Sequence, residues 1–103
     1  MIAVEIKPAT QKNKKLQAIF YQDGRKIKTI PFGQAGASDF TQHKDKERRD
    51  RYDARHEPRE DWTDPMTAGT LAKFNLWSEP TLKEGFKKYL KRFNLKRFRG
   101  LGK

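Results

Sequence analysis

The centre of the chain carries residue types that a metal-dependent nuclease uses. Carboxylates and imidazoles hold divalent cations that activate a water molecule. The candidates are Asp39, His43, Asp45, His56, Glu60 and Asp61. A single helix through this segment would place His43 and His56 about 20 Å apart along its axis, so that helix alone cannot gather a ligand cluster. The spacing therefore favours a structural role, in which Ser38, Asp39 or Thr41 caps the helix, the charges pair, and Arg55 and His56 hold the turn before Trp62.

Other kinds of catalytic site have little support in the sequence. Gly33 and Gly36 suggest a phosphate-binding loop, but no Gly-Lys-Ser/Thr follows them. The chain has no cysteine, which excludes thiol catalysis, disulfides and thiolate zinc sites. We therefore predict a non-catalytic protein with no metal site and no cofactor, and we keep a metal-dependent nuclease as the third hypothesis.

Positive charge is concentrated in the two flanks of the chain. The net charge is +11. Residues 83–103 hold nine bases and one acid, Glu84, whereas residues 39–82 hold ten acids and eight bases. Such a surplus favours a polyanionic partner, because Lys and Arg that neutralise phosphates release counterions. Solubility alone is the alternative explanation.

Nucleic acid, either DNA or RNA, is the predicted partner. No helix-turn-helix, zinc-finger or RNA-recognition motif is evident, so we expect phosphate-driven and weakly sequence-specific binding. Phe93 and Phe98 are placed to stack on bases, although packing in the core is the better interpretation for Phe93. The predicted phosphate-contacting residues are Lys83, Lys87, Lys88, Lys91, Arg92, Lys96, Arg97 and Arg99, with a second patch of Lys12, Lys14, Lys15, Arg25, Lys26 and Lys28.

A membrane is not a predicted partner. A basic amphipathic helix can lie in an anionic membrane surface, but the apolar stripe of residues 82–93 is needed to cover the predicted sheet. No apolar run approaches the roughly 20 residues of a transmembrane helix, and we expect no signal peptide. We therefore expect a soluble, intracellular protein.

The residue pattern in the first third of the chain predicts a three-stranded antiparallel meander. Apolar and polar side chains alternate over three segments: residues 2–7, 16–21 and 26–30. Asp23-Gly24 suits a tight hairpin turn. Pro31 and Gly33 predict that the sheet ends near Phe32.

Three helices are predicted to pack on this sheet, which makes the fold α+β. They cover about residues 41–55, 64–77 and 78–94. Pro58 ends the first, and Asp64-Pro65 and Ser78-Glu79-Pro80 each combine a capping residue with a proline at the start of a helix. We assign residues 1–95 to a single domain and residues 96–103 to a basic flexible tail, where Gly100 and Gly102 argue against regular structure.

Residues 31–95 also carry a distinctive combination of motifs. It comprises Phe32-Gly33-x-x-Gly36, Ser38-Asp39-Phe40-Thr41, His43-Lys44-Asp45, Arg48 to Tyr52, Arg55-His56, Glu60-Asp61-Trp62, Asp64-Pro65, Thr67-Ala68-Gly69, Leu76-Trp77 and Tyr89 with Phe93. In these features the chain resembles small proteins of unassigned function encoded by large DNA viruses of algae and protists, with similar sequences in phages. The resemblance implies a viral origin and transfers no mechanism. With a viral origin, the expected location is the interior of a host cell, in cytoplasm or nucleus, or a virion.

A virion structural or adaptor protein, such as a minor capsid or internal virion component, is the second hypothesis. Arginine, tyrosine, histidine and tryptophan suit protein interfaces as well as cores. On this hypothesis the partners are other viral or capsid proteins.

Overall fold

The fold is α+β, as predicted, and its sheet has four strands. The computed structural model describes residues 2–36 and 38–98. The strands are β1 (Ile2–Pro8), β2 (Lys14–Gln22), β3 (Arg25–Gln34) and β4 (Lys96–Arg97). Their order in the sheet is β3-β2-β1-β4. The first three strands form the predicted antiparallel meander, and β4 adds a parallel strand beside β1.

The β2–β3 hairpin turns at Asp23 and Gly24. Both residues have positive φ, 54° and 79°, as a tight hairpin turn requires. The register shifts between Phe20, which pairs with Lys28, and Tyr21, which pairs with Lys26. Ile27 is therefore the extra residue of a bulge, and its side chain is 46% exposed.

The predicted end of the sheet near Phe32 is wrong. β3 continues to Gln34, and Pro31 pairs with Gln17 inside the ladder. Proline is accommodated because β3 is an edge strand, where a missing N–H can face away from the neighbouring strand. Gly33 adopts φ 78° within the same strand.

The tail predicted to be irregular from residue 96 begins with a short strand. Lys96 pairs with Ala3 and Arg97 with Val4, and the Phe98 N–H donates to the Val4 carbonyl at 2.9 Å. These backbone hydrogen bonds to β1 order the start of the segment. The remaining predicted tail, residues 99–103, lies outside the described residues.

The predicted first helix is divided in two. Helix α1 (Phe40–His43) is capped by Asp39, and helix α2 (Lys46–His56) by Asp45. Lys44 separates them in the left-handed conformation, with φ 56°. A residue in this conformation ends a helix, and the Asp45 side chain then accepts from the first amides of the next one. A short 3-10 helix, Glu57–Arg59, follows α2.

The other two helices begin later than predicted. Helix α3 (Ala68–Ala72) starts after Thr67 and continues as a π-helical turn, Lys73–Trp77. Helix α4 (Leu82–Arg92) starts after Thr81. Both threonine side chains accept from the third amide of their helix, which is the usual N-cap interaction. Ser78 instead donates its hydroxyl to the Phe74 carbonyl, so it closes the preceding turn.

The core lies between one face of the sheet and the helical layer of α3, the π-helical turn and α4. Its members are Val4, Ala18, Phe20, Ile30, Phe32, Leu71, Phe74, Leu76, Phe86 and Tyr89. Phe86 and Tyr89 confirm the apolar stripe predicted for the last helix. Phe93 meets Phe74 edge to face at 5.5 Å, which confirms its place beside the core. Within residues 2–36 and 38–98, no helix has the length and apolar character needed to cross a membrane.

Candidate nucleic-acid interface and central groove

Helix α4 turns a cationic side to solvent. Lys83, Lys87, Lys88, Lys91 and Arg92 are all exposed, while Phe86 and Tyr89 face the core. Lys88 pairs with Glu79 at 3.3 Å. Among the described residues, the other four cations have no ion pair with an acid. Their charge is therefore available to an external anion.

The sheet register brings cations from the two sequence flanks to one end of the fold. Lys28, Phe20, Val4 and Arg97 form one row across the strands, on the face that the helices cover, because Phe20 and Val4 lie in the core. Lys26, Tyr21, Ala3 and Lys96 form the next row, which points to the opposite face. Because β4 follows α4 closely, the last turn of α4 lies near this end, and Lys83 and Lys87 extend the charge along the helix. We call the exposed cations that surround this end on both faces, together with those of α4, the basic surface: Arg25, Lys26, Lys28, Lys83, Lys87, Lys91, Arg92, Lys96 and Arg97.

The predicted second patch is wrong as a single patch, because its members lie at opposite ends of β2. Lys12, Lys14 and Lys15 are at the start of the strand, and Arg25, Lys26 and Lys28 follow its end. A strand of nine residues is about 27 Å long. The hairpin residues join the basic surface, and Lys14 lines a different feature, described below. Arg99, also predicted to contact phosphate, lies outside the described residues.

Lys15 is occupied within the protein. Its Nζ lies 2.5 Å from Asp39 Oδ2 and 2.8 Å from Gln42 Oε1. The Asp39 side chain is only 5% exposed, so this cation compensates a nearly buried carboxylate. Lys15 therefore has a structural role in the fold.

Phe98 packs on Tyr21 at the same end of the sheet as the basic surface. The two rings are stacked with centroids 3.5 Å apart and planes 9° apart. The Tyr21 hydroxyl donates to Glu5 at 3.1 Å. Burial and this carboxylate raise the pKa of Tyr21 above its ordinary value, so the phenol remains a donor at neutral pH.

In the central segment, three rings form an aromatic stack, and a fourth packs against one end of it at an angle. Trp77 is parallel to Tyr52 within 8° at 4.2 Å, and Tyr52 stacks on His56 at 4.1 Å. His43 contacts the other end of the stack, 5.4 Å from Trp77. The two histidines are thus connected through packing between α1, α2 and the π-helical turn, and they lie on different helices.

Glu60 fixes the turn that follows α2. Its Oε1 lies 3.3 Å from His56 Nδ1, and its Oε2 accepts from Trp62 Nε1 at 2.9 Å. A Cβ atom on Gly69 would lie 2.7 Å from Glu60 Oε1, so glycine leaves room for this carboxylate. These contacts agree with the predicted role of His56 in holding the turn before Trp62. Arg55, predicted to share this role, is exposed and makes no hydrogen bond to the turn within residues 2–36 and 38–98.

The buried tyrosines are held in their neutral form. Burial raises the pKa of Tyr52, and the nearby Glu60 and Asp53 carboxylates raise it further. Burial also raises the pKa of Tyr89, whose hydroxyl donates to the Pro65 carbonyl at 2.6 Å. Neither phenol is poised to ionise near neutral pH. In contrast, hydrogen bonds from Thr63 lower the pKa of the exposed Asp61.

The acids and histidines first considered as metal ligands are dispersed among structural contacts. Asp45 caps α2, and His43 Nδ1 accepts from the Asp45 N–H at 2.9 Å. Asp39 pairs with Lys15, and Glu60 binds His56 and Trp62. In the part of the chain that the structure describes, no three His, Asp or Glu side chains are grouped to hold a metal ion.

A groove lined by both polar and apolar side chains runs between α2 and the end of the β2–β3 pair that lies opposite the hairpin. Its volume is about 440 Å³, and a neighbouring hollow of about 330 Å³ shares Arg48, Arg55 and Trp77 with it. We call the two together the central groove. It combines residues of the dense central segment with Lys14 and Lys15 of β2 and with Trp77 of the π-helical turn.

Only part of this groove can be recognised from the sequence. Arg48, Tyr52 and Arg55 recur at the spacing of one helical face, and that pattern is visible without a structure. The approach of Lys14 and Trp77 to this face depends on tertiary packing, so sequence reasoning missed them as members of one site.

A comparison with protein-family models identifies a family of unknown function (DUF5754), which matches residues 4–56. This is just over half of the chain. The chain belongs to this family. The DUF5754 match includes nearly all of the antiparallel meander together with α1 and α2, and therefore Arg48, Tyr52 and Arg55 of the central groove; α4 and β4 lie beyond it. Searches of curated proteins and of solved structures found no match.

Proposed function

We propose that this DUF5754 protein is a small, basic, non-catalytic nucleic-acid-binding protein of viral type. The observation that supports the proposal best is the convergence of cations from both flanks of the chain on the basic surface. Exposed Lys and Arg side chains on a rigid helix and at one end of the sheet provide favourable sites for phosphates.

The arrangement on α4 suits contact with a nucleic-acid backbone. Lys83, Lys87 and Lys91 recur every four residues and lie about 6 Å apart along the helix. Lysine ammonium groups contact phosphate as point charges and do not read base identity. The expected binding is therefore strong at low salt and weakly dependent on sequence.

A binding assay across salt concentrations tests the proposal. Affinity for duplex and single-stranded DNA and RNA is measured with the native protein and with the triple variant Lys87→Gln, Lys91→Gln and Arg92→Gln. Lys88 is left unchanged because it pairs with Glu79. We expect weaker binding and, for duplex DNA, a plot of log affinity against log salt that is shallower by about 0.9 for each lost contact.

A second triple variant controls for net charge. Lys7→Gln, Lys46→Gln and Arg59→Gln remove the same charge from exposed residues outside the basic surface. This control should retain most of the affinity. Equal losses in the two variants, or a flat salt dependence, would reject the basic surface as the binding site. Cleavage of DNA that requires Mg²⁺ and disappears in His43→Ala or Asp45→Ala would show a nuclease instead.

A virion structural or adaptor role is the second candidate, and one observation favours it. Among the described residues, β4 pairs with Ala3 and Val4 of β1. Beside it, a groove of about 570 Å³ is lined by Ile6, Leu82, Phe86 and Leu90 among others. Apolar grooves beside sheet edges suit protein partners. Presence of the protein at fixed stoichiometry in purified particles would favour this role, and absence from particles would favour an intracellular one.

A further inference from the structure

We propose that the central groove binds a nucleotide, with its phosphate between Arg48 and Arg55 and its base against Trp77. The groove lies at the opposite end of the sheet from the basic surface. This inference does not depend on the function proposed for that surface.

The groove has a surplus of positive charge because its four cations, Lys14, Lys15, Arg48 and Arg55, outnumber its two carboxylates, Asp39 and Glu60. Asp39 Oδ2 lies 2.5 Å from Lys15 Nζ, so these two charges compensate each other. The oxygens of Glu60 contact the rings of His56 and Trp62, which hold this carboxylate in place without cancelling its charge. Three cations therefore remain against one carboxylate, and the groove stays favourable for an anion.

The two arginines are available for such an anion. They lie about two turns apart on α2, and both are exposed. Arg48 donates one N–H to Ser38 Oγ at 3.2 Å, which leaves most of its donors open, and Arg55 has no acidic partner within residues 2–36 and 38–98. Guanidinium groups match phosphate geometry with paired hydrogen bonds. Lys14 adds a cation from the opposite wall.

The remainder of the groove fits an aromatic base. Trp77 lines both hollows and is partly exposed. Its contacts with Tyr52 at 4.2 Å and with His43 at 5.4 Å fix its position before a ligand arrives, so a base would pack on the part of the indole that borders the hollows. Stacking of bases on aromatic side chains contributes binding energy without requiring a particular base. Volumes of about 440 and 330 Å³ fall within the range of small-ligand sites.

Calorimetric titration of the full chain tests the inference at constant ionic strength. The probes are adenosine monophosphate, adenosine, inorganic phosphate, phosphotyrosine and a 5′-phosphorylated trinucleotide. We expect adenosine monophosphate to bind more tightly than adenosine or phosphate alone. If the trinucleotide binds more tightly and through the same arginines, the ligand of the groove is a nucleotide within a strand. If adenosine monophosphate binds more tightly, the ligand is a free nucleotide.

The double variant Arg48→Gln with Arg55→Gln should bind adenosine monophosphate about tenfold or more weakly than the native protein does. The matched control, Lys46→Gln with Arg59→Gln, removes the same charge nearby and should change affinity less than about twofold. If the arginine variant melts at a lower temperature than the native protein, Lys14→Gln provides the same test without altering α2.

Three results would overturn the inference. They are no measurable binding of adenosine monophosphate by the native chain, equal losses in the arginine variant and its control, and tighter binding of phosphotyrosine than of the nucleotide. The last result would assign the groove to a phosphorylated peptide.

Discussion

The ion pair between Lys15 and Asp39 fastens the sheet to the start of α1. Asp39 is nearly buried, and its side chain also accepts from the Thr41 N–H at 3.0 Å. One carboxylate therefore caps a helix and receives a cation from β2. A nearly buried carboxylate that loses its cation keeps its desolvation cost without compensation.

Replacing Lys15 by Gln should lower the free energy of unfolding by about 2 kcal/mol. Lys14→Gln is the matched control, because Lys14 has no ion pair with an acid among the described residues, and we expect a change within about 0.5 kcal/mol. Urea denaturation of the two variants measures both changes in the free energy of unfolding. Adding Asp39→Asn to Lys15→Gln should recover part of the loss, since the buried charge is then removed. Equal effects at positions 14 and 15 would contradict this role for the ion pair.

At single residues, the sequence predicted local roles better than distant partners. Asp39 was among the expected helix caps, and it caps α1 because its neighbours along the chain supply the amides. Lys15 was predicted to contact phosphate, because nothing near it in sequence reveals an acid that folding brings within 2.5 Å.

The crossing of α4 over the π-helical turn depends on Gly85. A Cβ atom there would lie 2.5 Å from the Phe74 carbonyl oxygen and 3.2 Å from Asn75 Cα. These are backbone atoms, which cannot move aside as the end of a side chain can. Glycine thus sets how closely the two helical segments approach.

Gly85→Ala should destabilise the protein by about 2 kcal/mol. In an unhindered helix, replacing Gly by Ala raises the free energy of unfolding by about 0.5–1 kcal/mol. The sign of the change in stability therefore shows whether the two segments cross closely at Gly85. Lys91→Ala, on the exposed side of α4, is the control and should change stability by less than about 0.5 kcal/mol. Denaturant unfolding measures both variants. A stabilised Gly85→Ala protein would show that the helices are not in close contact there.

Elements were predicted well where periodicity is strong and poorly where capping decides a boundary. Alternation located the strands of the meander, and the apolar stripe located α4. The break at Lys44 was missed because lysine seldom marks a left-handed residue, although Asp45 is a suitable cap. Asp64 and Ser78 were chosen as caps over Thr67 and Thr81, since proline follows the first two closely. The backbone hydrogen bonds that select the threonines are not visible in the sequence.

The charge distribution of the whole molecule has a cost in stability. Like charges crowd on the basic surface, and mutual repulsion acts across about 30 Å at 0.01 M salt but only about 10 Å at 0.1 M. Mutual repulsion among these cations therefore lowers the free energy of unfolding when no anion is bound.

Raising salt from 0.01 to 0.1 M should therefore raise the melting temperature of the native protein by about 4 °C. The variant that removes Lys87, Lys91 and Arg92 charges should be more stable at low salt and respond less to added salt. The Lys7, Lys46 and Arg59 control should resemble the native protein. Thermal unfolding followed by circular dichroism measures all three. A salt response that is the same in both variants would place the repulsion elsewhere.

At this scale the sequence predicted the charge surplus and the α+β class, but not the meeting of the flanks. The hairpin and the final strand are far apart along the chain, so only the sheet register shows that Lys26 and Lys96 lie in one row. The central groove was missed for the same reason, because β2, α2 and the π-helical turn each supply one wall.

The pairing of β4 with β1 also has a consequence for synthesis of the protein. Ala3 and Lys96 meet, so this contact closes a loop that contains nearly all of the described chain, and contacts of such separation form late. On the ribosome, the outer edge of β1 stays unpaired until Lys96 and Arg97 emerge from the exit tunnel. During that interval the nascent chain exposes an edge on which a neighbouring nascent chain can add a strand.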